Sequence, residues 1–108
     1  MGYELHITRA DDWSQNEGRE ITAEEWLELV RRDPELALDE RNGEHFAVWT
    51  PIGGKDAGWI DWFDGNLASK HPDRRLLGKM LDVAEKLAAK VQGDDGEVYE
   101  SEEDLPIY

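Results

Sequence analysis

Trp59-Ile60-Asp61-Trp62-Phe63-Asp64-Gly65-Asn66 is the stretch on which the fold class turns. Residues 59–63 are aromatic and β-branched, which is strand composition. Asp64-Gly65-Asn66 is tight-turn chemistry, and Leu67 to Lys70 follows directly. A chain that doubles back this sharply pairs antiparallel. Upstream, residues 44–50 read as another strand, with Phe46 and Val48 on one face and Ala47 and Trp49 on the other. Pro51 to Gly58 joins the two as a glycine-containing loop, and Asn42-Gly43 marks the turn before them. Leu36 to Asp39 is a short strand or a turn.

Towards the N-terminus, residues 3–8 alternate strictly. Tyr3, Leu5 and Ile7 face one way and Glu4, His6 and Thr8 the other, as in a half-buried strand. Residues 9–20 are polar and irregular, with Trp13 alone among them. Thr22-Ala23-Glu24-Glu25 has the spacing of a capping box, with Ile21 and Trp26 placed as a hydrophobic staple. The helix so begun ends at Asp33-Pro34, because proline disfavours helical geometry in the residue before it. Pro72 suits the first turn of a second helix. Leu76, Leu77, Met80, Leu81, Ala84, Leu87, Ala88 and Val91 give that helix an apolar stripe of about five turns, with Gly93 as its terminator. Glu97-Val98-Tyr99 is a last short strand.

The order strand, helix, three strands, helix, strand implies a single two-layer α+β domain, a small, mostly antiparallel sheet with both helices on one face. Residues 1–99 form that domain, and 100–108 form a frayed acidic tail.

Charge is the dominant compositional fact. Twenty-six acids face twelve bases in 108 residues, for a net charge of −14. Residues 1–54 hold 13 acids and 5 bases, and residues 55–108 hold 13 acids and 7 bases, so the excess covers both halves. Such a surface repels nucleic acid and anionic membrane and attracts cationic partners. The basic group Lys70, Arg74, Arg75 and Lys79 reads as a solvated helical face. With no cysteine, thiol chemistry and disulfides are excluded. No stretch approaches the roughly 20 apolar residues of a membrane span, and the N-terminus has no signal-peptide pattern. Together these imply a cytoplasmic location.

No nucleophile elbow or phosphate loop is present; Gly53-Gly54-Lys55 lacks the flanking spacing. His6, His45 and Asp61 could hold a metal or small ligand if their strands were neighbours, although no metal-binding histidine spacing supports this. No cofactor is implied. Trp26, with Trp49 or Trp59, is expected in the core. Trp13 and Trp62 are expected as exposed anchors, flanked by the carboxylates Asp11, Asp12, Asp61 and Asp64. Asp61 is singled out because it shares a strand face with Trp59 and Phe63.

Glu4-Leu-His-Ile-Thr-Arg9, Glu20-Ile-Thr-Ala-Glu-Glu-Trp26, Phe46-Ala-Val-Trp-Thr50, Asp61-Trp-Phe-Asp-Gly-Asn66, Pro72-Asp73 and Lys90 to Tyr99 resemble a family of short acidic bacterial proteins. That family is similar in size and charge to the immunity proteins of contact-dependent and other polymorphic toxin systems. The resemblance implies a non-enzymatic protein that neutralises a basic toxin domain, such as a nuclease, by direct contact. It supplies no catalytic motif. A general interaction adaptor has the same composition.

Overall fold

Helix α1 (Ala23–Arg32) starts where the capping box places it. The Glu25 amide donates to the Thr22 hydroxyl at 3.1 Å, and the Thr22 amide donates to the Glu25 carboxylate at 3.0 Å. Ile21 and Trp26, the two ends of the staple, are fully buried. Such a cap is worth about 1 kcal/mol. A helix of 10 residues is marginal alone, so packing of its apolar face must hold it.

The computed structural model describes residues 4–70 and 72–104. Tyr3, His71 and residues 105–108, which the sequence reading placed in the first strand, among the histidines and in the tail, lie outside the described residues. The strands are β1 (Glu4–Thr8), β2 (Leu36–Leu38), β3 (Ala47–Trp49), β4 (Gly58–Phe63), β5 (Asn66–Lys70), β6 (Lys90–Gly93) and β7 (Val98–Tyr99), with helix α2 (Arg74–Lys86) between β5 and β6. They form one sheet in the order β2-β3-β4-β5-β1-β6-β7, and every pairing is antiparallel. Leu5, Ile7, Ala47, Trp49, Ile60, Leu67 and Val91 turn inward and pack with Trp26 and Val30 of α1 and Leu76, Leu77, Met80 and Val83 of α2. Both helices cover this inner face, giving the two-layer α+β arrangement. Burying each such aliphatic side chain contributes roughly 1.5–3 kcal/mol.

The β4–β5 hairpin turns at Asp64 (φ 51°) and Gly65 (φ 85°), positive at both central positions, as a tight antiparallel turn requires. Gly65 is also packed, and an added Cβ would lie 2.7 Å from Glu20.

The second helix is shorter than its apolar stripe. It ends at Lys86, and Ala88 takes a left-handed backbone (φ 54°) where glycine is usual. Val91 continues the stripe in sequence, but it lies in β6 opposite Ile7, because β-pairing with β1 outweighs two more helical turns. Pro72 stands before the helix, whose N-cap is Asp73, accepting from the Leu76 amide at 2.9 Å. Finally, residues 100–104 are not frayed. Asp104 accepts from the Glu100 and Ser101 amides, and a short 3-10 turn at Glu102–Asp104 lies on α2, with Glu102 over Gly78.

Lys79 also departs from its reading as a solvated base. Its ammonium is buried, 2.7 Å from Asp33 and 2.9 Å from Glu35. Burial alone would lower the Lys79 pKa; hydrogen bonds and charge from the two carboxylates outweigh it and raise it. Glu35 also accepts from the Trp49 indole at 3.0 Å. Across the molecule, Arg9 grips Glu25 through both guanidinium nitrogens, at 3.0 and 2.6 Å, and donates to the Leu87 carbonyl at 2.8 Å beside the end of α2.

Removing the cation while leaving Asp33 buried strands a charge. Lys79→Ala is expected to lose about 3–5 kcal/mol of unfolding free energy in urea titration; a loss under about 1 kcal/mol would mean that water already solvates the triad.

Acid stability follows from the two ion-paired glutamates. Hydrogen bonding from Arg9, then Thr22, holds Glu25 at about 2, and hydrogen bonding from Trp49, then Lys79, holds Glu35 at about 2, both from an ordinary 4.5. Depressed carboxylates stabilise the fold above the unfolded value and lose that contribution as pH falls through the folded one. Urea midpoints should therefore fall steeply between pH 4.5 and about 2, and the double variant Glu25→Gln/Glu35→Gln should flatten that limb.

Candidate functional site

Among the described residues, no helix lies over the sheet's second face. Strand register sets Asp61, Ala68, His6 and Gln92 in one row across it. Half of this outer face is covered by residues 9–20, the connection from β1 to α1. The Trp13 indole stacks on the His6 imidazole, with centroids 3.7 Å apart and planes within 4°. Gln92 holds the same segment at both ends of its amide, accepting from the Trp13 backbone and donating to the Asp11 carbonyl, each at 2.8 Å. Asn66 donates to the Trp13 carbonyl at 2.8 Å. Under this cover His6 and Thr8 are buried, like Leu5 and Ile7 on the inner face. The alternation of β1 is present, but its polar face is dry, which period-two patterning alone does not reveal.

Asp94, in the turn between β6 and β7, completes the clasp. It accepts from His6 Nε2 at 2.9 Å and from the Glu4 amide at 3.2 Å, and its carbonyl accepts from the Trp13 indole at 3.2 Å. Glu4, His6 and Asp94 thus bring three ligand atoms within 4.8 Å of one another, the geometry in which a cation could sit. Each is already engaged: His6 by Asp94, and Glu4 by the Lys70 ammonium at 3.5 Å. The cluster acts here as a tether between β1 and the β6–β7 turn. The grouping of His6, His45 and Asp61 does not form as a set, although His45 is near enough for its charge to lower the Asp61 pKa. β5 lies between β1 and β4, so His6 and Asp61 stand two strand spacings apart, about 10 Å. His45 lies edge-on to Trp62 at 4.9 Å.

The other expected contact residues divide between the two faces. Asp11 is fully exposed, 3.8 Å from Lys90. Asp12 accepts from the Ser14 hydroxyl and amide, bonds that lower its pKa and shape the loop. Asp64 is exposed at the hairpin turn, and its carbonyl accepts from Asn16 at 2.8 Å. Trp62 points inward, donates to the Ile21 carbonyl at 2.8 Å and packs on the core. The indole N–H groups of Trp13 and Trp62 both donate to backbone carbonyls, so each ring is fixed by the fold and only partly exposed.

What stands uncovered is the outer side of β4. Phe46 stacks on Trp59, with centroids 5.0 Å apart, and Phe63 is 79% exposed. Asp61 lies between Trp59 and Phe63 on that side. It has no ion pair among the described residues, and burial raises its pKa, with only a backbone hydrogen bond and the charge of His45 opposing. Alternation along 59–63 placed Trp59, Asp61 and Phe63 together. It gave no means of knowing that Phe46 would join them, because that contact depends on the β3–β4 pairing. Where the Trp13 segment meets the hairpin tip, a cleft of about 260 Å³ opens between Glu4, Trp13, Ser14, Phe63, Asp64 and Asn66.

No family model, curated protein or solved structure matches this chain. The functional reading therefore rests on the geometry.

A raised carboxylate pKa means that the fold favours the protonated form, so the Asp61 charge costs stability above that pKa and the cost disappears as pH falls through it. Asp61→Asn should melt at a higher temperature than the natural chain at pH 7, with the gap closing as pH falls through the acidic range in calorimetry. A lower melting temperature at pH 7 would show that the charge is paired in solution.

Proposed function

We propose that the chain is a cytoplasmic binding protein of the immunity type, which engages a cationic toxin domain, such as a nuclease, through the outer face of its sheet and blocks it by contact. The reading is carried by Asp61. A carboxylate half-buried on the face of Trp59, Phe63 and Phe46, with no ion pair among the described residues and only a backbone hydrogen bond and the charge of His45 opposing its burial, is unfavourable in the free protein. A lysine or arginine from a partner would supply the missing charge, and the surrounding rings would exclude water from the pair.

The remaining features agree with this arrangement. The −14 charge would steer a basic partner during encounter and raise the association rate more than the final affinity. Phe63 and the Phe46–Trp59 pair supply rigid apolar area at low entropic cost. Among the described residues, no helix is long and apolar enough to cross a membrane.

The test is co-expression with the basic domain encoded by the adjacent reading frame. The chain should restore growth and form a complex whose association slows about tenfold or more from 50 to 500 mM salt. Asp61→Lys should slow association, and Phe63→Ala should speed dissociation. Complex formation that ignores both salt and Asp61→Lys would overturn the proposal.

A further inference from the structure

We infer that the cleft between the Trp13 segment and the β4–β5 hairpin tip is a receptor for a guanidinium group, the side chain of an arginine on a basic partner. This deepens the preceding reading and rests on it, adding a second, chemically distinct contact beside the Asp61 strip.

What the cleft lacks, among the described residues, is a cation to pair with Asp64. Of its carboxylates, Glu4 faces Lys70 at 3.5 Å, whereas Asp64 makes no ion pair among the described residues. Asn66 donates one amide N–H to the Trp13 carbonyl, which fixes its side chain at the cleft wall. The uncommitted charge at the cleft is therefore negative, on Asp64. Phe63 forms an aromatic wall that is 79% exposed, and Trp13 contributes a second aromatic group at the same cleft. A planar cation that stacks on a ring while donating in its own plane fits this combination. Guanidinium does both, whereas an ammonium is a strongly hydrated point charge. A phosphate or carboxylate would meet Glu4 and Asp64 and be repelled.

The parts are held in place before any ligand arrives. Trp13 is fixed by His6, Gln92, Asn66 and Asp94. Asn16 ties the same segment to the hairpin through the Asp64 carbonyl. The cleft, of about 260 Å³, has room for one side chain and is too small for a folded element.

The experiment titrates Nα-acetyl-arginine methylamide into ¹⁵N-labelled protein, with the lysine and norleucine analogues as controls. The Trp13 indole and Asn66 side-chain signals should shift saturably with arginine, at least about threefold more weakly with lysine, and not at all with norleucine. Asp64→Asn should weaken the arginine response about fivefold. Asparagine suits the left-handed backbone that Asp64 adopts (φ 51°), so this variant keeps the turn. Phe63→Ala should weaken the response as well. A flat titration, shifts confined to other residues, or a response unchanged in Asp64→Asn overturns the inference. A basic protein that binds with salt dependence while the arginine titration is flat would overturn the cleft alone. An arginine response without any binding of the basic domain would overturn the immunity reading instead.

Discussion

Two short helices can cover one face of a seven-stranded sheet and no more. The other features of the molecule follow from how the second face is treated. Along β1 and β6 it is sealed by the chain's own residues 9–20, pinned by the His6–Trp13 stack and the two hydrogen bonds of Gln92. Along β4 it is left open, and there Phe46, Trp59 and Phe63 share a face with a carboxylate that has no ion pair among the described residues. The boundary between the sealed and open halves is the cleft at Asp64 and Asn66.

This division places charges differently from what composition suggests. The acidic excess is on the surface, yet the ion pairs that matter to the fold are few and specific. Lys79 is buried against Asp33 and Glu35, and Arg9 joins Glu25 to the C-terminal end of α2. Pairs such as Arg31 with Glu28 or Lys86 with Asp82 are exposed and contribute at most about 0.5 kcal/mol each. Asp61 is the exception on the other side of the ledger, a carboxylate that the fold tolerates without rewarding.

Local chemistry was legible in the sequence wherever it closes within a few residues. The capping box at Thr22 and Glu25, the stop at Asp33-Pro34, the Asp64-Gly65 turn and the α+β layering follow from short-range spacing. The end of α2 was not legible, because Val91 satisfies a helical stripe and a strand equally and only its pairing with Ile7 decides. The burial of Lys79 was hidden for the same reason, since its partners are more than 40 residues away. Of the expected contact residues, Asp61 and Asp64 lie on the open side or at its border. The hydrogen bonds of the Trp13 and Trp62 indoles were not legible, because an indole's partner is set by tertiary structure and both partners are backbone carbonyls remote in sequence. The exposed aromatic on this face is Phe63.

The central claim is that the open half of the outer sheet face is the working surface. Hydroxyl-radical footprinting, read residue by residue with and without the bound basic domain, tests it most directly. The account predicts that Phe46, Trp59 and Phe63 react in the free protein and become protected in the complex, while the exposed surfaces of α1 and α2 are unchanged. Protection concentrated on the helices, with Phe63 still reactive in the complex, would contradict it.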